Sequence, residues 1–174
     1  MQRRRQPNPS QKKAPTGQVR IISGLWRGRK LPVHDAEGLR PTTDRVKETL
    51  FNWLAQEVPN ARCLDLFAGS GGLGFECASR QANQVTMLEL NPLAFLRQSG
   101  KPYDVVFIDP PFRQGLLQET TQLLEQNGWL APQAMIYIEC EKELPLTELP
   151  PHWHLHREKS AGQVCYRLFI REEQ

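Results

Sequence analysis

Two short stretches hold residues whose types and spacing could do chemistry. Residues 65–74, DLFAGSGGLG, contain a Gly-x-Gly-x-x-Gly run at Gly69, Gly71 and Gly74. Glu89 lies about 20 residues past the first glycine, where a dinucleotide-binding loop places its ribose acid. Taken alone, this reads as an NAD site. The second stretch, IDPPF at residues 108–112, directly follows a buried-type apolar run and reads differently. It offers the Asp109 carboxylate, a rigid Pro110-Pro111 backbone with carbonyls but no amide hydrogens, and the Phe112 ring. A planar base with an exocyclic amine can donate to Asp109 and to the Pro110 carbonyl while stacking on Phe112.

Hydride transfer has no evident need for such a set, but methyl transfer to an aromatic amine does. The amine lone pair is delocalised into the ring, and fixed acceptors align it for in-line attack on a sulfonium methyl. Asp109 need not remove a proton before attack. The glycine loop then reads as part of an S-adenosylmethionine site. Asp65 orders the loop, Phe67, Ala68, Gly69, Ser70 and Gly71 admit the amino-acid end of the cofactor, and Glu89 accepts from both ribose hydroxyls. There is no pyrophosphate to cradle.

The elements around these stretches alternate between strand and helix signals, the mark of an open parallel sheet whose sites lie beyond the carboxyl ends of its strands. Strands are predicted at ARCLDLF, QVTMLEL (ending at Glu89), YDVVFI and AMIYIEC, with helices from Gly72 to about Arg80 and from Gly115 to Gln126. The end of the chain should fold back as an antiparallel hairpin turning at Ser160-Ala161-Gly162. Before the sheet, Thr42 or Thr43 can cap a helix reaching about Ala55, with Val46, Leu50, Trp53 and Leu54 as its apolar stripe. Residues 19–22 and 25–31 read as a ribbon turning at Ser23-Gly24. Arg20, Arg27, Arg29 and Lys30 surround Trp26 there, and Arg40 and Arg45 flank the helix start, all able to meet an anionic ligand such as RNA. Trp26 itself is expected to pack on the main domain.

At 174 residues the chain has room for one catalytic domain and a modest extension, with 39% hydrophobic residues to build one core. The divisions expected are a disordered basic arm at 1–17, a hairpin-and-helix extension at 18–58 and a methyltransferase domain at 59–174. The net charge is only +3, but nine basic residues precede Asp35, the first acid. Cys63, Cys77, Cys140 and Cys165 form no Cys-x-x-Cys pair, so reduced thiols in a cytoplasmic protein are expected, with no metal. His34, His152, His154 and His156 show no ligand spacing, and the last three should share the exposed face of a strand. Glu119 and Glu125 should lie on a solvated helix face. No apolar run approaches membrane-spanning length.

LDLFAGSGGLG and VFIDPPF resemble the cofactor loop and the Asp-Pro-Pro-Phe motif of class I amino-methyltransferases. More narrowly, RIISGLWRGRKLPV, GLRPTTDRVKETLFNWL and LHREKSAGQVCYRLF resemble the bacterial RsmD family, the 16S rRNA (guanine(966)-N(2))-methyltransferases, from Gln18 to Arg171. The resemblance implies an α/β fold: a class I, Rossmann-like sheet of seven strands with helices on both faces, the C-terminal hairpin, and the N-terminal β-hairpin plus helix. It also implies S-adenosylmethionine as donor and one guanine of 16S rRNA, in the small ribosomal subunit, as acceptor. Asp65 through Gly71 and Glu89 would bind cofactor, Asp109 through Phe112 would hold the guanine, and Arg27, Arg29 and Lys30 would grip RNA. A monomer is expected. The competing readings are a non-catalytic RNA-binding or ribosome-assembly protein, and a DNA amino-methyltransferase.

One interval departs from the family. Between Glu89 and YDVVFI the family has a helix and a strand whose end contacts the cofactor adenine, where this chain has only LNPLAFLRQSGKP. That is too short for both. Loss of a central strand would leave its neighbours' backbone groups unpaired, so a stretch omitted between Asn91 and Phe95 is expected rather than a true deletion.

Overall fold

The computed structural model describes residues 17–33, 42–111 and 115–172. The predicted arm, His34, Arg40 and Phe112 therefore lie outside the described residues, apart from Gly17 at the arm's end.

Among the described residues, eight strands and four helices follow in the order β1 (Gly17–Arg20), β2 (Lys30–Val33), α1 (Asp44–Trp53), β3 (Arg62–Asp65), α2 (Gly72–Ser79), β4 (Gln84–Met87), α3 (Pro92–Leu96), β5 (Tyr103–Ile108), α4 (Leu117–Gln126), β6 (Leu130–Glu141), β7 (Trp153–Ala161) and β8 (Val164–Arg171). β1 and β2 form a separate antiparallel ribbon, and the other six make one sheet in the order β4-β3-β5-β6-β8-β7. The β4-β3-β5-β6 portion is parallel, and β8 and β7 complete the sheet antiparallel.

Alternation along the central strands explains why both faces are covered. On β5, Val105 and Phe107 join a cluster with Leu50, Phe51, Leu54, Leu73 and Tyr137 under α1 and α2. Val106 and Ile108 face the other way, with Ile136, Ile138, Leu96 and Leu124 under α3 and α4. The near-continuous apolar runs that marked these strands are what a doubly covered sheet requires.

Among the described residues the sheet has six strands, not the seven implied by the resemblance. Only fifteen residues separate Met87 from Tyr103, and they form a five-residue helix and connecting turns. β4 is consequently the edge, bonded to β3 alone among the described residues. This corrects the expectation that a missing strand would be central. A further strand after β4 would have lain outside it, so its absence opens an edge rather than a hole in the sheet, and the β3-to-β8 core closes without it.

The turns differ from expectation at both ends. Ser23-Gly24 is not the turn of the ribbon; the strands are joined by a loop across 21–29, closed by Ile21 N–H to the Arg29 carbonyl at 2.8 Å and Gly28 N–H to that of Ile21 at 2.8 Å. Ser23 and Gly24 instead dock on α2. Leu25 N–H donates to the Ser79 carbonyl at 2.8 Å, Trp26 N–H to Ser79 Oγ at 3.0 Å, and Ser79 Oγ to the Ser23 carbonyl at 2.6 Å. A Cβ on Gly24, whose φ is +88°, would stand 2.1 Å from the Ser79 carbonyl oxygen, so only glycine permits this approach. At the C-terminus, Ser160 and Ala161 belong to β7, paired with Cys165 and Val164, and the turn is Gly162-Gln163.

Glu125 also departs from the solvated-face reading. Arg171 donates to both of its oxygens and Trp153 Nε1 to Oε2 at 2.9 Å, tying α4 to the terminal hairpin. Burial pushes this carboxyl up, but the Arg171 and Trp153 hydrogen bonds outweigh it and hold it below the ordinary value. Glu119 is exposed and pairs with Arg97 at 2.8 Å. His154 and His156 are exposed, but a register shift between Leu155 and Arg157 interrupts the alternation at His156. The four cysteines are buried and free.

Candidate active site

Asp65, Met87, Ile108 and Ile138 stand at or near the carboxyl ends of four adjacent parallel strands, and the residues that follow form one rim. β3 is central to it because the chain leaves β3 for neighbours on opposite sides, the switch point where open α/β sheets bind ligands.

The glycine loop is held between strands. Leu66 N–H donates to the Phe107 carbonyl, Leu88 N–H to that of Asp65, and Ala68 N–H to that of Leu88. Gly71, at φ +81°, is the N-cap of α2, and a Cβ there would meet the Phe75 ring at 2.5 Å. Beneath the loop, Asp65 is 1% exposed, and among the described residues neither carboxylate oxygen has a partner at hydrogen-bonding geometry. Burial raises its pKa to about 7, with the Phe67 and Gly74 amides close enough to offset only part of that cost. A buried acid lacking a counter-charge, under a loop of small residues, fits the cationic amino-acid end of S-adenosylmethionine.

A measurable consequence follows. Because its folded pKa lies above the unfolded value, Asp65 is protonated below about pH 7, whereas a cationic ligand favours the carboxylate. S-adenosylmethionine affinity should fall as the pH drops below about 7, and Asp65→Asn should bind weakly with that dependence gone, as isothermal titration would record. The same shift disfavours folding as the pH rises from the ordinary carboxyl range through 7, so Asp65→Asn should also melt higher than wild type at pH 8.

Of the other predicted cofactor residues, Phe67, Ala68 and Ser70 are partly buried around the loop and Gly69 is exposed. Glu89, two residues past the end of β4, is exposed on the open edge, and neighbouring Leu90 is 81% exposed. QVTMLEL thus forms a strand only as far as Met87. The structure brings Asp65 and Asp109 together, while Glu89 stands at the rim.

Asp109 sits among groups that the motif alone did not reveal. Thr42, just ahead of the Thr43 N-cap of α1, brings its hydroxyl to the Asp109 carboxyl, and Glu139 from β6 brings a second carboxyl. Burial, the Glu139 and Asp65 charges and the hydrogen bond to Glu139 push Asp109 well above the ordinary range, against the Thr42 hydroxyl. Pro110 is buried and Pro111 partly so, and a cleft of about 60 Å³ runs past both to Cys140 and Glu141. Glu139 had a signal in the sequence: an acid two residues after Tyr137 in a buried strand, in step with Asp109 after Phe107.

The basic residues lie on the ribbon, its loop and the start of α1. Arg20, Arg27, Arg29, Lys30 and Arg45 are exposed, and none forms an ion pair among the described residues. Trp26 is partly buried where the loop meets α2, in keeping with its expected packing. Among the described residues no group of His, Cys, Asp and Glu is arranged to hold a metal, and no helix is long and apolar enough to cross a membrane.

Residues 19–97 and 92–170 match the model of a family described as conserved hypothetical protein 95. The chain is 54% identical over 184 positions to ribosomal RNA small subunit methyltransferase D of Escherichia coli strain K12, across 91% of this chain and 93% of that protein. The chain belongs to the RsmD family. The protein of the same name from Haemophilus influenzae is 50% identical over 88% of this chain and 94% of its own length. A solved structure described as a putative methyltransferase, yhhF, from Escherichia coli superposes with a TM-score of 0.83 at 50% identity, across 91% of this chain and all of the other. The fold is that of class I methyltransferases, and this RsmD-family chain is an S-adenosylmethionine-dependent methyltransferase.

The same alignment measures the short interval. Ninety-one per cent of 174 residues is about 158, against 184 aligned positions, so about 26 positions of the Escherichia coli protein have no counterpart here. The two matches to the family model meet and overlap at 92–97, which places the gap beside α3.

Proposed function

We propose that this chain transfers a methyl group to the exocyclic N2 of one guanine in 16S rRNA, within the small ribosomal subunit. The observation that carries the reading is the pairing, at adjacent strand ends, of a buried uncompensated acid under a small-residue loop with the Asp109-Pro110 acceptor set. When bound, S-adenosylmethionine supplies an electrophilic methyl on a sulfonium sulfur. Asp65 and the loop from Phe67 to Gly71 would hold its amino-acid end, and Glu89 its ribose.

Asp109 and the Pro110 carbonyl then accept from the guanine amine and hold its nitrogen in line, with Phe112 assigned to the ring face by resemblance. As the new carbon-nitrogen bond forms, the nitrogen sheds a proton, and the Asp109 carboxyl is the nearest acceptor. Arg20, Arg27, Arg29, Lys30 and Arg45, with Arg40, draw the RNA backbone to the ribbon side of the site. Residues 18–58 thereby act as the RNA-docking extension of the catalytic domain.

The test is methyl incorporation from labelled S-adenosylmethionine into small subunits lacking the modification, followed by nuclease digestion and mass identification of the nucleoside. N2-methylguanosine is the expected product. Label recovered in a different nucleoside would overturn the guanine-N2 target, and no incorporation into these particles would overturn the substrate reading.

Replacing Arg27, Arg29 and Lys30 by glutamine should weaken RNA binding and flatten its salt dependence by about 0.7 in log–log slope per lost phosphate contact on single-stranded RNA. Binding isotherms at several salt concentrations would check this. An unchanged slope would return these residues to a merely solvated ribbon.

A further inference from the structure

An Asp-Pro-Pro-Phe set accepts hydrogen bonds from an amine, and adenine, cytosine and guanine all carry one. The neighbouring ring position tells them apart. Beside the guanine amine is the N1–H donor, whereas beside the adenine and cytosine amines is a ring nitrogen that accepts. A site that selects guanine needs a second acceptor next to the first.

β5 and β6 are parallel with Ile108 opposite Ile138, so the chain places Asp109 and Glu139 side by side at the next position. They share a face, because Phe107 and Tyr137, two residues earlier on each strand, are paired in register and lie in one apolar cluster. Neighbouring strands are about 4.8 Å apart, so both side chains can reach one base edge. Glu139 is held from below by the Tyr137 hydroxyl, which donates to Oε2 at 2.8 Å. From the side, β8 sets Tyr166 opposite Glu139, and Tyr166 packs on Trp53 of α1 with ring centroids 5.8 Å apart. Thr42, at the start of the same helix, reaches Asp109.

We propose that Glu139 is the guanine-selecting residue of the site, accepting N1–H while Asp109 accepts from N2. The assignment rests on the guanine-N2 reading above. An acceptor at this point repels the ring nitrogen of adenine or cytosine and leaves it unpaired, which discriminates more strongly than pocket shape. Burial, foremost, keeps both carboxyls above their ordinary range, and in the free site the Asp109 carboxyl donates to that of Glu139. Two donors from one base edge relieve both.

The experiment compares small subunits reconstituted with guanine or with 2-aminopurine at the methylated position. The analogue keeps the N2 amine but presents an acceptor at N1. Wild-type protein should prefer guanine by about 100-fold or more in kcat/KM. In Glu139→Gln the side-chain amide can donate to the analogue, and the preference should shrink at least tenfold, with S-adenosylmethionine affinity unchanged. Tyr137→Phe keeps the carboxylate but frees it, and should narrow the ratio by a smaller factor. If Glu139→Gln does not fold, the ratio in Tyr137→Phe decides. Guanine turnover with an unchanged ratio in the folded variants would overturn the role of Glu139 alone. A wild-type protein that makes no N2-methylguanosine on the guanine particle would overturn the target reading instead, and the proposal with it.

Discussion

Replacing Asp109 by alanine should lower methyl transfer by about three orders of magnitude or more while leaving S-adenosylmethionine affinity within a few-fold of wild type. On the proposed reading Asp109 acts in the transition state, holding the amine lone pair in line and meeting the positive charge developing on nitrogen; loss of one such preorganised group costs about 10²–10³. The same reading makes it the first stop for the departing proton, which would add to the loss. The cofactor loop hangs on Asp65, Leu66, Ala68 and Leu88, and none of these bonds involves the Asp109 side chain. Unfolding is not an alternative cause. Asp109 is a crowded, partly buried acid whose ionisation its surroundings oppose, so truncating it should leave the melting temperature unchanged or raised. Asp109→Asn keeps an accepting oxygen and should lose less. Single-turnover rates beside cofactor titrations would separate the two effects, and retained turnover in the alanine variant would remove Asp109 from the chemistry.

Glu76→Ala should destabilise the protein by about 3–5 kcal/mol, the cost of breaking a buried charge cluster from one side. Glu76 is fully buried on α2, accepts from three donors, the Ile22 and Ser23 amides at 3.0 and 3.1 Å and Arg80 Nε at 3.1 Å, and forms an ion pair with Lys47 Nζ at 3.8 Å. Lys47, inaccessible to solvent, donates in turn to the Arg20 carbonyl at 2.6 Å. Burial lowers its pKa, against the pull of Glu76 and Asp44. Without Glu76 an ammonium would remain buried with no carboxylate in contact, and the ribbon would lose two of its anchors on α2. At about 2–4 °C per kcal/mol for a chain of this size, the melting temperature should fall by about 10 °C. RNA affinity should fall further than S-adenosylmethionine affinity, since the basic loop is what the cluster docks. Calorimetry together with the two binding measurements would check this, and a wild-type melting temperature would show the cluster to be incidental.

The two chemical motifs were legible because each is local. An apolar run followed by DLFAGSG or DPPF signals a strand that ends where its acid begins, and an open α/β sheet leaves its strand ends as the place for a site. The helix start at Thr43, the β5 bounds and the alternation of clusters across β5 were legible for the same reason: period and cap are properties of neighbours in the chain. Ser23-Gly24 misled because a turn signal does not say what the turn packs against. Here α2 takes the backbone groups that a tight hairpin would have used itself.

By itself, the sequence determined the order of elements, the acids at the ends of β3 and β5, and membership of a methyltransferase family. Only the tertiary structure decided which distant groups meet them. Thr42 and Glu139 reach Asp109, and Glu76 gathers Lys47, Arg80 and the ribbon, across separations that strand register and helix docking alone can close. The number of strands was settled there as well, since a missing strand matters differently at the edge of a sheet and at its centre. Lateral contacts arise from burial summed over the whole core, whereas periodicity and turn chemistry act between near neighbours, and a linear reading has access only to the second.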